Sequence, residues 1–146
     1  MDPALDTTFS LLNLATVPWW LSMLLFPRTR ATLRLVTSPW PFVALAGVYL
    51  TLLATSLASN PSFTGLDANS LAVFMAGPWG FLTAWAHMLT LNLFVGTWIF
   101  RDARYYGQLP RVELLLSWWM GPAGLGLYLW RRRAWTGPGG TPRTLN

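Results

Sequence analysis

Apolar residues along this chain gather into four long runs separated by short polar stretches. The first runs from Phe9 to Phe26 and stops at Pro27 and Arg28. The second runs from Pro41 to Ala58 and ends in SNPSFTG, a cluster of turn formers. The third, Gly80 to Phe100, is closed by Arg101, and the fourth, Val112 to Trp130, by Arg131, Arg132 and Arg133. A helix needs roughly 20 residues to cross the hydrocarbon core of a bilayer. With so few polar side chains, only helices satisfy the backbone in lipid. The pattern therefore predicts an all-α integral membrane protein: a bundle of four transmembrane helices within residues 1–132, then a flexible, glycine- and proline-rich tail over 133–146. Between the first two runs, Arg28, Arg30 and Arg34 read as a short basic loop. Between the second and third, Ser70 to Ala76 reads either as an interfacial turn of helix or as an ordered loop, with Trp79 at headgroup level.

Composition agrees. The 146 residues are 53% hydrophobic and only 10% charged, far below the roughly 25% charge of soluble domains. All ten basic residues are arginine, a bias expected of a GC-rich bacterial genome, and the expected location is a bacterial inner or photosynthetic membrane. The arginines flank apolar runs, where they meet lipid headgroups, so the net charge of +5 argues for membrane lipid as a partner and not for nucleic acid. Cysteine is absent, which excludes disulfides, thiolate metal sites and cysteine nucleophiles. The N-terminal MDPALDTTF lacks the basic region of a secretory signal, so the first run is expected to be retained.

With the N-terminus outside, four crossings put Arg28, Arg30, Arg34, Arg101, Arg104 and Arg111 inside and leave Arg131, Arg132, Arg133 and Arg143 outside. The last cluster conflicts with this choice unless the fourth run breaks at Gly121-Pro122 and turns back. Proline is tolerated in membrane helices as a kink, and four full crossings are the expectation.

The third run carries the candidate chemistry. At about 100° per residue, Thr83, His87, Thr90, Phe94 and Thr97 share one stripe, and Trp85, Asn92, Gly96 and Ile99 the opposite one. Polar groups in lipid are costly and mark a packed contact or a site. His87, the single histidine, has three readings: an imidazole hydrogen-bonded to a neighbouring helix, an axial ligand to a chlorophyll-type tetrapyrrole, or a proton carrier. One histidine, no cysteine and five carboxylates at the membrane edges give no dedicated metal centre. Asp102, between Arg101 and Arg104, reads as an interfacial ion cluster or as support for His87. Gly96 next to Asn92 admits another backbone or a flat apolar molecule. Ten tryptophans suit either an aromatic belt or the walls of a conjugated ligand. Trp85, His87, Asn92 and Gly96, with Trp118 and Trp119 on the fourth run, are the candidate ligand-binding positions. His87 and Asp102 are the candidate catalytic ones. Asn13 and Pro18 mark a polar contact and a kink in the first run.

The string TAWAHMLTLNLFVG, the following Arg101-Asp102 and the later MGPAGLGLYLWRR resemble the abscisic-acid-deficient-four-like family, small membrane proteins related to plant neoxanthin synthase. PWWLSMLLFPR and SPWPFVALAGVYLTLL are similar to its first two spans. The resemblance covers residues 9 to 132 and is carried chiefly by Trp85, His87, Leu93, Phe94, Asp102, Gly121, Pro122 and Gly124. It implies four membrane helices and a role in carotenoid metabolism. In plants the family is needed to convert violaxanthin into neoxanthin. The family pattern has an aspartate at the position of Asn92 and an arginine at that of Thr97, so both intramembrane charges are missing here. Opening an epoxide to an allene needs one group to protonate oxygen and another to take a proton from carbon, and Asn92 transfers none. The expectation is thus a carotenoid-binding accessory subunit, held against other helices of a photosynthetic or carotenogenic pigment complex. The alternatives are an intramolecular xanthophyll isomerase and a purely structural subunit.

Overall fold

The computed structural model describes residues 3–59, 65 and 67–135. Among these the chain is all-α, with seven helices and no strand: α1 (Pro3–Leu25), α2 (Arg30–Thr37), α3 (Trp40–Ser59), α4 (Ala68–Ala76), α5 (Pro78–Tyr105), α6 (Arg111–Trp119) and α7 (Gly121–Arg132). Most of the tail expected over 133–146 lies outside the described residues. Two helices, α1 and α3, are long and apolar enough to cross a membrane. At 28 residues, α5 is about 42 Å long, but three threonines, His87 and Asn92 dilute its apolar character.

Two polar stretches become helices because their first residues cap them. The expected basic loop after α1 contains α2, where Thr29 accepts a hydrogen bond from the Thr32 amide at 3.2 Å. The Thr32 hydroxyl in turn donates to the Phe26 carbonyl at 2.8 Å, and Trp19 Nε1 donates to the Leu35 carbonyl at 3.3 Å, tying α2 to the end of α1. At α4, Asp67 Oδ1 accepts from the amides of Asn69 and Ser70, and Oδ2 from the Ser70 hydroxyl at 2.6 Å. These are the side-chain acceptors that orphan amides of a first helical turn require. They hold the Asp67 carboxyl below its ordinary range, the Ser70 hydroxyl contributing most.

The chain divides into two compact units, Met1–Thr16 with Pro39–Thr90, and Val17–Ser38 with Leu91–Asn146. In the first, Leu12 of α1, Leu52 of α3 and Leu82, Ala86 and Leu89 of α5 form the core, with Leu5, Trp79 and Trp85 packed on it. The α5 members recur at three- and four-residue spacing, the period of one helix face.

In the second unit the fourth apolar run, expected as one continuous helix over 112–130, is two helices. It breaks at Met120, whose φ of −136° and ψ of 69° are not helical, and α6 and α7 fold back on each other. Pro122 lacks the amide hydrogen that would have continued α6, and it is favourable in the first turn of α7 instead. Gly124 makes the close approach: a β-carbon there would stand 2.5 Å from the Glu113 carbonyl oxygen and nearer still to Ser117. At the open end, Arg131 donates to the wholly buried Glu113 at 2.5 Å. The end of α5 is a Schellman stop, with Gly107 at a φ of +70° and Gln108 N–H donating to the Ala103 carbonyl at 2.9 Å.

Candidate functional site

Phe9 of α1 and Phe81 and Trp85 of α5 form an aromatic cluster within the first unit, with ring centroids 5.2 Å (Phe9–Trp85), 5.9 Å (Phe81–Trp85) and 6.4 Å (Phe9–Phe81) apart. Positions 81 and 85 face the same way because they are four residues apart on a helix. Trp85 is oriented by its indole N–H, which donates to Asn13 Oδ1 at 3.3 Å, while Asn13 Nδ2 donates to the Phe9 carbonyl at 2.7 Å. Beside this cluster lies a groove of about 360 Å³ lined by Leu5, Asp6, Phe9, Pro78, Phe81 and Leu82. Asp6 is its one titratable lining residue; every other lining side chain is apolar. Such a groove accepts a flat, conjugated or alicyclic apolar group and offers a carboxylate to a polar end.

His87 belongs to the same unit but points outward. It is exposed, its ring lies 5.7 Å from that of Tyr49, and it makes no hydrogen bond among the described residues. The stripe of polar residues around it needs no external partner, because Thr83, Thr90 and Thr97 return their hydroxyls to the carbonyls of Trp79, Ala86 and Phe94.

In the second unit the slot made by Gly96 is filled by the chain itself. Trp20, only 1% exposed, lies so close over Gly96 that a β-carbon would overlap its ring. Its other neighbour is Trp118, stacked at 5.8 Å and 7°. Trp119, by contrast, is 81% exposed. Asn92 is buried with its carboxamide oxygen against Gly121, at the start of α7, and its Nδ2 has no partner among the described residues. Ser117 Oγ and Glu113 Oε2 are likewise buried and without a partner among those residues. Glu113 lies inside the open end of the hairpin.

Asp102 is the hub of a polar network at the end of α5. Tyr128 O–H donates to its Oδ2 at 2.5 Å, and Arg132 Nε donates to the same oxygen at 2.6 Å. Arg132 Nη2 reaches Oδ1 at 3.2 Å and the Tyr106 hydroxyl at 3.0 Å. The hydrogen bond from Arg132 to Asp102, ahead of the charge attraction, raises the guanidinium above its usual range. Trp98 meets the Tyr128 ring edge-on at 5.6 Å and also lines an apolar hollow with Phe94, Val95 and Leu125.

The candidate ligand positions thus separate. Trp85 stands beside the apolar groove, His87 on an outer surface, and Asn92, Gly96 and Trp118 in contacts within the second unit. His87 and Asp102 lie about four helical turns apart along α5, each with its own neighbours. Sequence reasoning missed Phe9, Phe81 and Asp6, although the spacing of Leu5, Phe9 and Leu12 was a readable signal for an apolar face on α1. Among the described residues no three metal-ligating side chains converge.

Among the described residues the chain is all-helical, with two helices long and apolar enough to cross a membrane and an aromatic groove. The chain belongs to the ABA DEFICIENT 4-like family, whose model matches residues 7–128. No curated protein and no solved structure matches it significantly.

Proposed function

We propose that this protein is an integral membrane protein that binds a carotenoid as a non-catalytic accessory subunit of a photosynthetic or carotenogenic complex. The observation that carries this reading is the groove at Phe9 and Phe81, which pairs aromatic walls with a single carboxylate. Rearranging a xanthophyll requires both a proton donor and a proton acceptor, and the described lining supplies one titratable group. Family membership supports the carotenoid as the ligand class. Asp6 would hydrogen-bond a ring hydroxyl, and Phe9 and Phe81 would flank the end ring. Purification from a carotenoid-producing host should yield a coloured protein whose pigment content falls severalfold in Phe9→Ala and Phe81→Ala, with helical content retained. A colourless, folded preparation would refute the reading.

In the membrane, α1, α3 and α5 cross and the α6–α7 hairpin enters and leaves by one face, the fourth run being two short helices and not one long one. This revises the arginine count: with the N-terminus outside, the nine described arginines fall on the cytoplasmic side. Because the protein has no cysteine, single cysteines at Thr29 and Ala134 report sidedness without background. Labelling of both from the same side supports the hairpin, and labelling from opposite sides favours four full crossings.

The rival reading, an intramolecular xanthophyll isomerase, is favoured by one observation: the hydrogen-bonded Tyr128 and Asp102 beside Trp98 and its apolar hollow. A new carotenoid in a producing host, abolished by Asp102→Asn, would establish it over the binding role.

A further inference from the structure

The second unit contains nine described arginines, at 28, 30, 34, 101, 104, 111 and 131–133, but only two carboxylates, Asp102 and Glu113. Both carboxylates are taken, Glu113 by Arg131 and Asp102 by Arg132. The other seven guanidinium groups have no acidic partner among the described residues. Two of the seven, Arg28 and Arg104, share a pocket of about 160 Å³ with Gly107, Gln108 and Leu109.

The pocket is built and not incidental. Arg104 is fixed from two directions: its Nη1 donates to the Pro27 carbonyl, and its guanidinium lies 5.9 Å from the Phe100 ring centroid. That bond joins the turn carrying Arg28 to the end of α5. The Schellman reversal at Gly107 then brings Gln108 and Leu109 round to the same pocket, while its amides occupy the carbonyls of Ala103 and Arg104. With those carbonyls engaged, the two guanidinium groups set the sign of the charge. An anchored arginine loses less freedom on binding than a free one, and its planar donor fork matches phosphate oxygens. The volume suits a phosphate group with a short polar substituent.

We propose that Arg28 and Arg104 form a binding site for a phosphate ester, filled in the membrane by the headgroup of an anionic phospholipid. The site rests on the membrane reading given above, since a headgroup reaches it only if the arginine-bearing ends of the helices lie at the lipid interface. It would fix the depth of α5 against the bilayer surface and is separate from the carotenoid groove, which belongs to the other unit.

The test uses the full chain reconstituted in nanodiscs of phosphatidylcholine alone and of phosphatidylcholine with phosphatidylglycerol. Native mass spectrometry counts retained phosphatidylglycerol, and a parallel titration with inorganic phosphate is made in detergent. An arginine that donates hydrogen bonds to a phosphate contributes about tenfold or more in affinity, and Arg28→Gln should weaken phosphatidylglycerol retention by that factor. Arg30→Gln, which removes the same charge from an exposed helix position, loses only the general attraction to an anionic surface, about fivefold at most. Arg28 makes no hydrogen bond among the described residues, so its loss leaves the fold intact, and helical content checks this. Retention that falls equally in both variants, or no preference for phosphatidylglycerol in a protein that reconstitutes normally, overturns the site and leaves the membrane reading standing. If the chain fails to enter either nanodisc, the membrane reading fails. Phosphate binding sensitive to Arg28→Gln then supports a soluble phosphate ligand, and its absence overturns the site as well.

Discussion

Replacing Gly124 by alanine probes the helical hairpin, because the new β-carbon has nowhere to go. It would stand 2.5 Å from the Glu113 carbonyl oxygen and closer to the amide and hydroxyl of Ser117, all on the facing helix. Two of these atoms are backbone, so no rotamer change relieves the overlap and α6 must move away from α7. Overpacking of this kind costs about 1–3 kcal/mol. Alanine also returns about 1 kcal/mol of helix propensity relative to glycine, so the net loss should be about 0–2 kcal/mol. Around Gly126, further along the same helix, nothing lies within 4 Å of where a β-carbon would stand, and Gly126→Ala should gain up to about 1 kcal/mol. The two variants differ in neither composition nor charge, so a denaturation titration in mixed micelles, followed by tryptophan emission and circular dichroism, compares them directly. The helix-propensity gain is common to both, so a difference of about 1–3 kcal/mol in favour of Gly126→Ala is expected. Equal stabilities would mean that α6 and α7 do not pack as described.

Three further outcomes follow. Arg131→Gln leaves the buried Glu113 carboxylate without its cation; the full cost of breaking a buried pair is about 3–5 kcal/mol, and since Arg131 is 45% exposed a loss of about 2–3 kcal/mol is expected in the same titration. Tyr128→Phe removes the 2.5 Å hydrogen bond to Asp102 while keeping the ring against Trp98. It should cost about 1.5–3 kcal/mol, the range for bonds to charged groups, and a neutral result would remove Tyr128 from the network. Asp67 caps α4 as a carboxylate with its pKa lowered from an ordinary 3.8. A depressed folded value means the cap's contribution is full above the unfolded pKa and is lost as pH falls through the folded one. The protection factors of the Asn69 and Ser70 amides, exchange relative to the intrinsic rate at each pH, should therefore fall in acid, and in Asp67→Ala they should be low at every pH.

The long elements were legible because hydrophobic runs report them without tertiary information. The runs at 9–26, 41–58 and 80–100 fall on α1, α3 and α5, although α1 starts six residues earlier and ends one residue short, and α5 runs five residues further at its end. The hairpin was half legible. Gly121-Pro122 signalled a break, and the misplaced Arg131 cluster signalled a return, but proline alone does not distinguish a kink from a reversal. That decision lies in the close approach at Gly124 and in the Glu113–Arg131 pair, contacts between residues 7 to 18 apart. The site was less legible for a related reason. Helical periodicity placed His87 and Asn92 on separate faces but could not say which face would be covered, and three threonines on the His87 stripe satisfy their own hydroxyls. Gly96 read as a place where another backbone or a flat apolar molecule approaches closely, and Trp20 of the same chain stands there.

The parallel indoles of Trp20 and Trp118 give the molecule a built-in optical gauge. Aromatic chromophores this near and this nearly parallel couple electronically, adding to the ultraviolet dichroism a contribution whose sign and size are set by the twist between their transition dipoles. One ring is carried by α1 and the other by α6, so that contribution vanishes whenever those helices part. Hairpin detachment can thus be followed in untagged protein, in detergent or in lipid, by light alone.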